Sequence, residues 1–226
     1  MARQARLAVA GHLHYVWLRG HGGLRLFADA ADRQLFRDAL REASSGVVVH
    51  GVALTESEVH LLVRPERAEA LGLAVQAIGR RFVVAWNRRH GRRGTPWDGR
   101  YRSAVVEPGE WALAALCRVD QLAADAEADA PAGPPSRWAN TGLRSLLADP
   151  PELWALGNTP FERERAWADR LAQPLLASLE TAIASSLFSG RVIGSDAFVR
   201  ELERSTSRRL IARPRGRPPG TAKVRT

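Results

Sequence analysis

Hydrophobic positions recur with two periods along the chain, and the switches between them mark out its elements. Rough alternation from Gly11 to Gly20 (GHLHYVWLRG) predicts a strand that ends in the turn His21-Gly22-Gly23. From Asp29 to Ser44 the spacing becomes helical. Leu35, Phe36, Ala39, Leu40 and Ala43 form one stripe, and Asp29 and Asp32 suit a helix N-terminus. Val47–Leu54 and Val59–Arg64 read as two strands joined by Thr55-Glu56-Ser57-Glu58. Pro65 and Glu66 open a second helix running to about His90, with Leu71, Val75, Ile78, Phe82 and Trp86 as its buried stripe. Gly91–Gly99 (GRRGTPWDG) is a turn-rich loop, Arg100–Glu107 a fourth strand, and Glu110–Ala123 a third helix.

The order is βα-ββ-αβα, with a hairpin at its centre. That predicts an α/β (α+β) fold on a ferredoxin-like or RRM-like plan, with a mostly antiparallel sheet and helices on one face. The expected domain spans residues 1–122. The Ala/Asp/Pro stretch around AADAEADAPAGPP reads as a linker over residues 123–140. Amphipathic pieces at Phe161–Leu171, Pro174–Ser185 and Ala197–Arg204 predict a small helical module over residues 141–204, before a disordered basic tail from 205 to 226.

Composition narrows the partners. The 226 residues carry a formal charge of +9, and Lys223 is the sole lysine. Arginine suits bidentate phosphate contact, so this balance favours a polyanion, most simply nucleic acid. No apolar run is long enough for a membrane span, and the N-terminus lacks the apolar core of a signal peptide. Cys117, the sole cysteine, rules out an intrachain disulfide and suits a cytoplasmic setting.

Two patterns carry candidate chemistry. Glu58-Val59-His60 places a carboxylate and an imidazole on one strand face, an arrangement suited to weak holding of Mg²⁺ or Mn²⁺. Between Gly79 and Arg102 stand eight arginines against Asp98 alone, interleaved with Trp86, Trp97 and Tyr101. Arg80, Arg81, Arg88, Arg92, Arg93 and Arg100 are candidate phosphate contacts, as is Arg19 on the first strand. Trp97 suits either a loop anchor or a base-stacking platform, and Tyr101 either packing or stacking. His12 and His14 share a strand face and form a candidate metal pair, for which packing or solvation is the simpler role.

The passage VALTESEVHLLVRPERAEALGLAVQAIGRRFVVAWNRRHGRRGTPWDGRYRSAVVE resembles the small HUH single-strand DNA transposases, most closely the REP-associated tyrosine transposases of the IS200-like group. Further matching pieces are Met1-Ala2-Arg3, Val16–Gly20 (VWLRG), Asp32-Arg33, Trp97–Arg102 (WDGRYR), Gly194–Phe198 (GSDAF) and the arginine-rich ending. The resemblance implies a ferredoxin-like sheet, recognition of hairpins in single-stranded DNA, and metal-assisted attack of a tyrosine on a phosphodiester. It also implies action as a monomer or homodimer.

This chain departs from the family at both catalytic motifs. The first histidine of the HUH pair falls on Glu58, leaving His60, and the tyrosine falls on Val119, which has no nucleophilic atom. Gln121, about half a turn further on, is a candidate to reach an ion beside Glu58 and His60. The expectation is a DNA-binding protein of the transposase family without tyrosine strand transfer. The alternatives are an active metal-dependent strand transferase or endonuclease with altered residues, and an interaction module that keeps only the fold. In the tail, Arg215-Gly216-Arg217-Pro218 resembles the core of an AT-hook, which implies contact by Arg215 and Arg217 with A·T-rich flanks.

Overall fold

Four strands, β1 (Leu13–Arg19), β2 (Val47–Leu54), β3 (Glu58–Pro65) and β4 (Arg102–Val106), pair side by side in the order β2-β3-β1-β4. All three pairings are antiparallel. The computed structural model describes residues 6–127, 137 and 144–210. It has the expected α/β class and the ferredoxin-like strand order.

Strand alternation sorts side chains onto the two faces. Val16 and Leu18 of β1 and Val59, Leu61 and Val63 of β3 bury on the first face. Helices α1 (Ala30–Ala43) and α2 (Ala68–His90) cover that face through Phe36, Leu40, Leu71, Phe82 and Trp86. Asp29 caps α1, its carboxylate accepting from Asp32 N at 3.0 Å. Gly91, at φ 62°, ends α2 in the left-handed conformation that glycine adopts without steric cost. Buried Asp32 then ties the two helices together. It accepts from Ala28 N at 3.0 Å and from Arg89, and His90 Nε2 lies 2.7 Å from it.

The expected helices on one face are therefore only half of the covering. The second face exposes Leu13, Tyr15 and Leu62, and α3 (Glu110–Ala126) packs onto it. Gly51 permits the close seat, because a β-carbon there would lie 3.2 Å from Val119 Cγ1. The bulge between Val49 and Gly51 adjusts the strand at that point. The helical pieces after residue 144 are α4 (Pro151–Trp154), α5 (Pro160–Leu171), α6 (Ala177–Ser189) and α7 (Asp196–Thr206). They do not stand apart. Leu153, Trp167, Ile183 and Leu187 share one core with Tyr15 and α3, while Phe198 and Leu202 of α7 pack with Leu7 and Val105.

Several boundaries differ from the sequence reading. Strand β3 runs through Pro65, so α2 begins at Ala68. Strand β4 is shorter, at Arg102–Val106. Helix α3 continues to Ala126, into the stretch expected to be linker, because its alanines favour helix. Its end is held by Arg33, which donates to Ala126 O at 3.2 Å, and by Arg37, which pairs with Glu127. The chain also runs beside both outer strands. Ile193 N donates to Val105 O and Glu107 N to Ile193 O, each at 2.8 Å, and Ala148 N donates to Val49 O at 2.9 Å. No helix among the described residues is long and apolar enough to cross a membrane.

Candidate functional site

The antiparallel register of β1 and β3 sets Trp17 opposite His60 and Arg19 opposite Glu58. Tyr15, Trp17, Glu58 and His60 thus share the second face. His60 Nε2 lies 3.2 Å from Glu58 Oε2, and His60 Nδ1 lies 3.2 Å from Tyr15 Oη. Trp17 stacks beside the imidazole, with centroids 6.4 Å apart. Burial pushes the His60 pKa down, and the hydrogen bond from His60 holds Glu58 below the usual carboxylate range. An ionised carboxylate only accepts, so this network assigns the imidazole hydrogen to Nε2. Nδ1 then accepts from the Tyr15 hydroxyl. Burial raises the Tyr15 pKa, against the opposing charge of Arg118, so the phenol keeps its proton. Tyr15 is fully buried and His60 is only 3% exposed.

Four consecutive side chains of α3 are each committed, and the first of them, Arg118, acts on this network. Arg118 pairs with Glu180 of α6. Val119 is fully buried over Gly51. Asp120 accepts from Arg137 through both oxygens at 3.0 Å and from Trp167 Nε1 at 3.0 Å, and burial raises its pKa. Gln121 donates to Leu171 O at 3.2 Å and Gln173 O at 2.9 Å. Gln121 therefore does not join Glu58 and His60. Its amide turns to the end of α5 and the residues just beyond it, where two carbonyls lack helical partners. The cation beside Tyr15 and His60 is Arg118, whose place next to Val119 gave no sequence signal of its own.

The arginines of α2 and the following loop divide into two groups. Arg89 is held by Asp29 and Asp32, and Arg81 lies 3.3 Å from Glu42. Arg80, Arg88, Arg93 and Arg100 are exposed and make no ion pair among the described residues. Arg92 sits 5.8 Å from the Trp86 ring centroid. The loop is tied to the sheet where His21 N donates to Pro96 O at 2.8 Å and Asp98 N to Arg19 O at 2.7 Å. Arg19 is half exposed and lies 4.0 Å from Glu58, so the loop and the Glu58 end of β3 lie at one end of the sheet.

The two loop aromatics are engaged with the protein. Trp97 packs half-buried on Phe82, with centroids 5.5 Å apart. Tyr101 carries the Arg6 guanidinium 3.9 Å from its ring centroid. His14 is buried with its Nε2 accepting from Val9 N at 3.1 Å and its Nδ1 donating to His12 O at 2.8 Å, leaving no lone pair for an ion. Arg215 and Arg217 lie outside the described residues.

No family model and no curated protein matches the chain. Among solved structures, the chain is similar to a REP-associated tyrosine transposase bound to a REP hairpin. The identity is 13%, over 66% of this chain and 89% of the other, with a TM-score of 0.47. A provisionally assigned transposase from Deinococcus radiodurans R1 is 20% identical over 48% of this chain and 88% of its own, with a TM-score of 0.34. At these identities and TM-scores neither likeness assigns an activity to the chain.

Proposed function

We propose that this protein is a transposase-related protein that binds single-stranded hairpin DNA and has lost tyrosine strand transfer. The observation that carries the second half is Val119. A buried, apolar side chain occupies the place that the sequence resemblance gives to the nucleophile. Neither tyrosine replaces it. Tyr15 is fully buried, and Tyr101 carries an arginine on its ring.

The donor set at Glu58 does not fit a resident divalent ion. Both nitrogens of His60 are engaged, and the charges of Arg118 and Arg19 stand nearby. No cluster of three or more potential ligands forms among the described residues. A cation would have to break the Glu58–His60 bond and settle beside guanidinium groups.

Binding is supported by the overall charge of +9 and by Arg92, Arg93 and Arg100, all exposed in and beside the loop at the Glu58 end of the sheet. Such a surface suits phosphates, and Arg19 extends it onto β1. The test incubates the full chain with a labelled single-stranded hairpin and Mn²⁺. The expected result is a shifted band on a native gel without a covalent adduct on a denaturing gel. An adduct lost on Tyr101→Phe or Tyr15→Phe would refute the loss of strand transfer, and absence of any shift would refute binding.

A further inference from the structure

The edge of β4 and the end of α6 border a cleft that Arg100 shares with the basic loop. Its volume is about 490 Å³, and Arg6, Arg100, Tyr101, Arg102 and Phe188 line it. Clefts of that size accept small ligands. Gly190, at φ 67°, ends α6 and leaves Phe188 in its last turn. There Phe188 remains 65% exposed, although one side of its ring meets the Arg102 guanidinium 4.3 Å from the centroid. Arg102 also donates to Phe188 O, which fixes the strand to the helix end. Arg100 is exposed with no ion pair among the described residues. One carboxylate, Asp98, lines the cleft, and His21 Nδ1 stands 3.8 Å from it.

We propose that this cleft takes a nucleotide of the unpaired DNA flanking a hairpin, with its phosphate among Arg100, Arg102 and Arg6 and its base stacked on Phe188. This rests on the DNA-binding reading and adds the C-terminal helix to the interface. Guanidinium groups match phosphate oxygens in paired geometry. An exposed ring beside them distinguishes the site from a plain anion hole, because every base offers a π-face. An acidic peptide would use the arginines and leave the ring without a role.

The test compares one hairpin stem with and without a short oligothymidine extension, on either end, by fluorescence anisotropy at fixed salt. The wild-type chain binds the extended hairpin more tightly. In Phe188→Ala the advantage of the extension shrinks about tenfold, and Phe188→Trp restores it. An advantage that is absent, or unchanged in Phe188→Ala, overturns the site. So does displacement of the extension by polyglutamate as effectively as by free oligothymidine. Binding of oligothymidine that depends on Phe188 but shows no preference for a hairpin would remove the hairpin reading and keep the cleft. No binding to any oligonucleotide removes both.

Discussion

The Tyr15 hydroxyl and His60 Nδ1 lie 3.2 Å apart inside the second face of the sheet. The bond consumes the imidazole nitrogen that would otherwise face a ligand, and it holds the phenol as a donor. Tyr15, His60 and Glu58 thus form a linear chain of hydrogen bonds, with Arg118, paired to Glu180, as the nearby cation.

Placing a tyrosine at position 119 is expected to yield no strand transfer. Val119 is packed over Gly51, so Val119→Tyr forces a ring into filled space at a cost of about 1–3 kcal/mol. A lower melting temperature and no covalent DNA adduct are expected. An adduct with Val119→Tyr would mean that the site still holds a cleavage-competent phosphate.

Mn²⁺ titrated into the DNA-free protein by calorimetry should bind no more tightly than about millimolar. Tighter binding that disappears in His60→Ala would show that Glu58 and His60 separate to hold an ion.

His14 makes folding sensitive to acid. Burial lowers its pKa from 6.5 to about 4. The unfolded chain therefore binds a proton more readily than the folded one, and stability falls as pH drops from 6.5 toward 4. The full loss from this group is about 3 kcal/mol. His50 and His60 are depressed by burial as well and act in the same direction. Melting curves across this range should show the fall, and His14→Gln should reduce it. An unchanged profile would place the acid sensitivity elsewhere.

Replacing Arg92 and Arg93 with Ala should weaken binding to all DNA sequences. The slope of log affinity against log salt should decrease by about one for each contact removed. An unaltered slope would move the phosphate contacts away from the loop.

Asp120 fastens the later helices to α3. Asp120→Ala removes both hydrogen bonds that hold the Arg137 side chain, 0% exposed, leaving it, among the described residues, only the longer 3.9 Å contact to Asp149, and removes the acceptor of Trp167. A loss of about 3–5 kcal/mol in urea unfolding is expected. A change below about 1 kcal/mol would mean that the pair is solvated in solution.

Much of the fold was legible from periodicity. The stripe Leu71, Val75, Ile78, Phe82 and Trp86 is buried throughout, and the central hairpin pairs as expected. Strand alternation also put Glu58 and His60 on one face. What they meet there was not legible, because Tyr15 is 45 residues away and reaches His60 through the β1–β3 register. An amphipathic pattern marks Trp167 as buried but does not name the surface it covers. Gln121 misled for the same reason. A helical position fixes direction relative to neighbours in sequence, while Leu171 at the end of α5 and Gln173 beyond it supplied the carbonyls that claimed it. The contact of Trp97 with Phe82 was likewise not legible, because it joins the loop to the buried stripe of α2.

The short backbone pairings at Ile193 and Ala148 bear on self-association. An open sheet invites a second molecule to add its own strand, and an unguarded flank is the usual starting point for aggregation. Here Ile193 takes the backbone groups of Val105 and Glu107, and Ala148 takes that of Val49. A copy of the chain cannot continue the sheet at those positions until the intramolecular straps are released. Strand exchange between molecules therefore requires partial unfolding of the C-terminal half, and conditions that loosen it should bring on fibrous association before the four-stranded sheet itself melts.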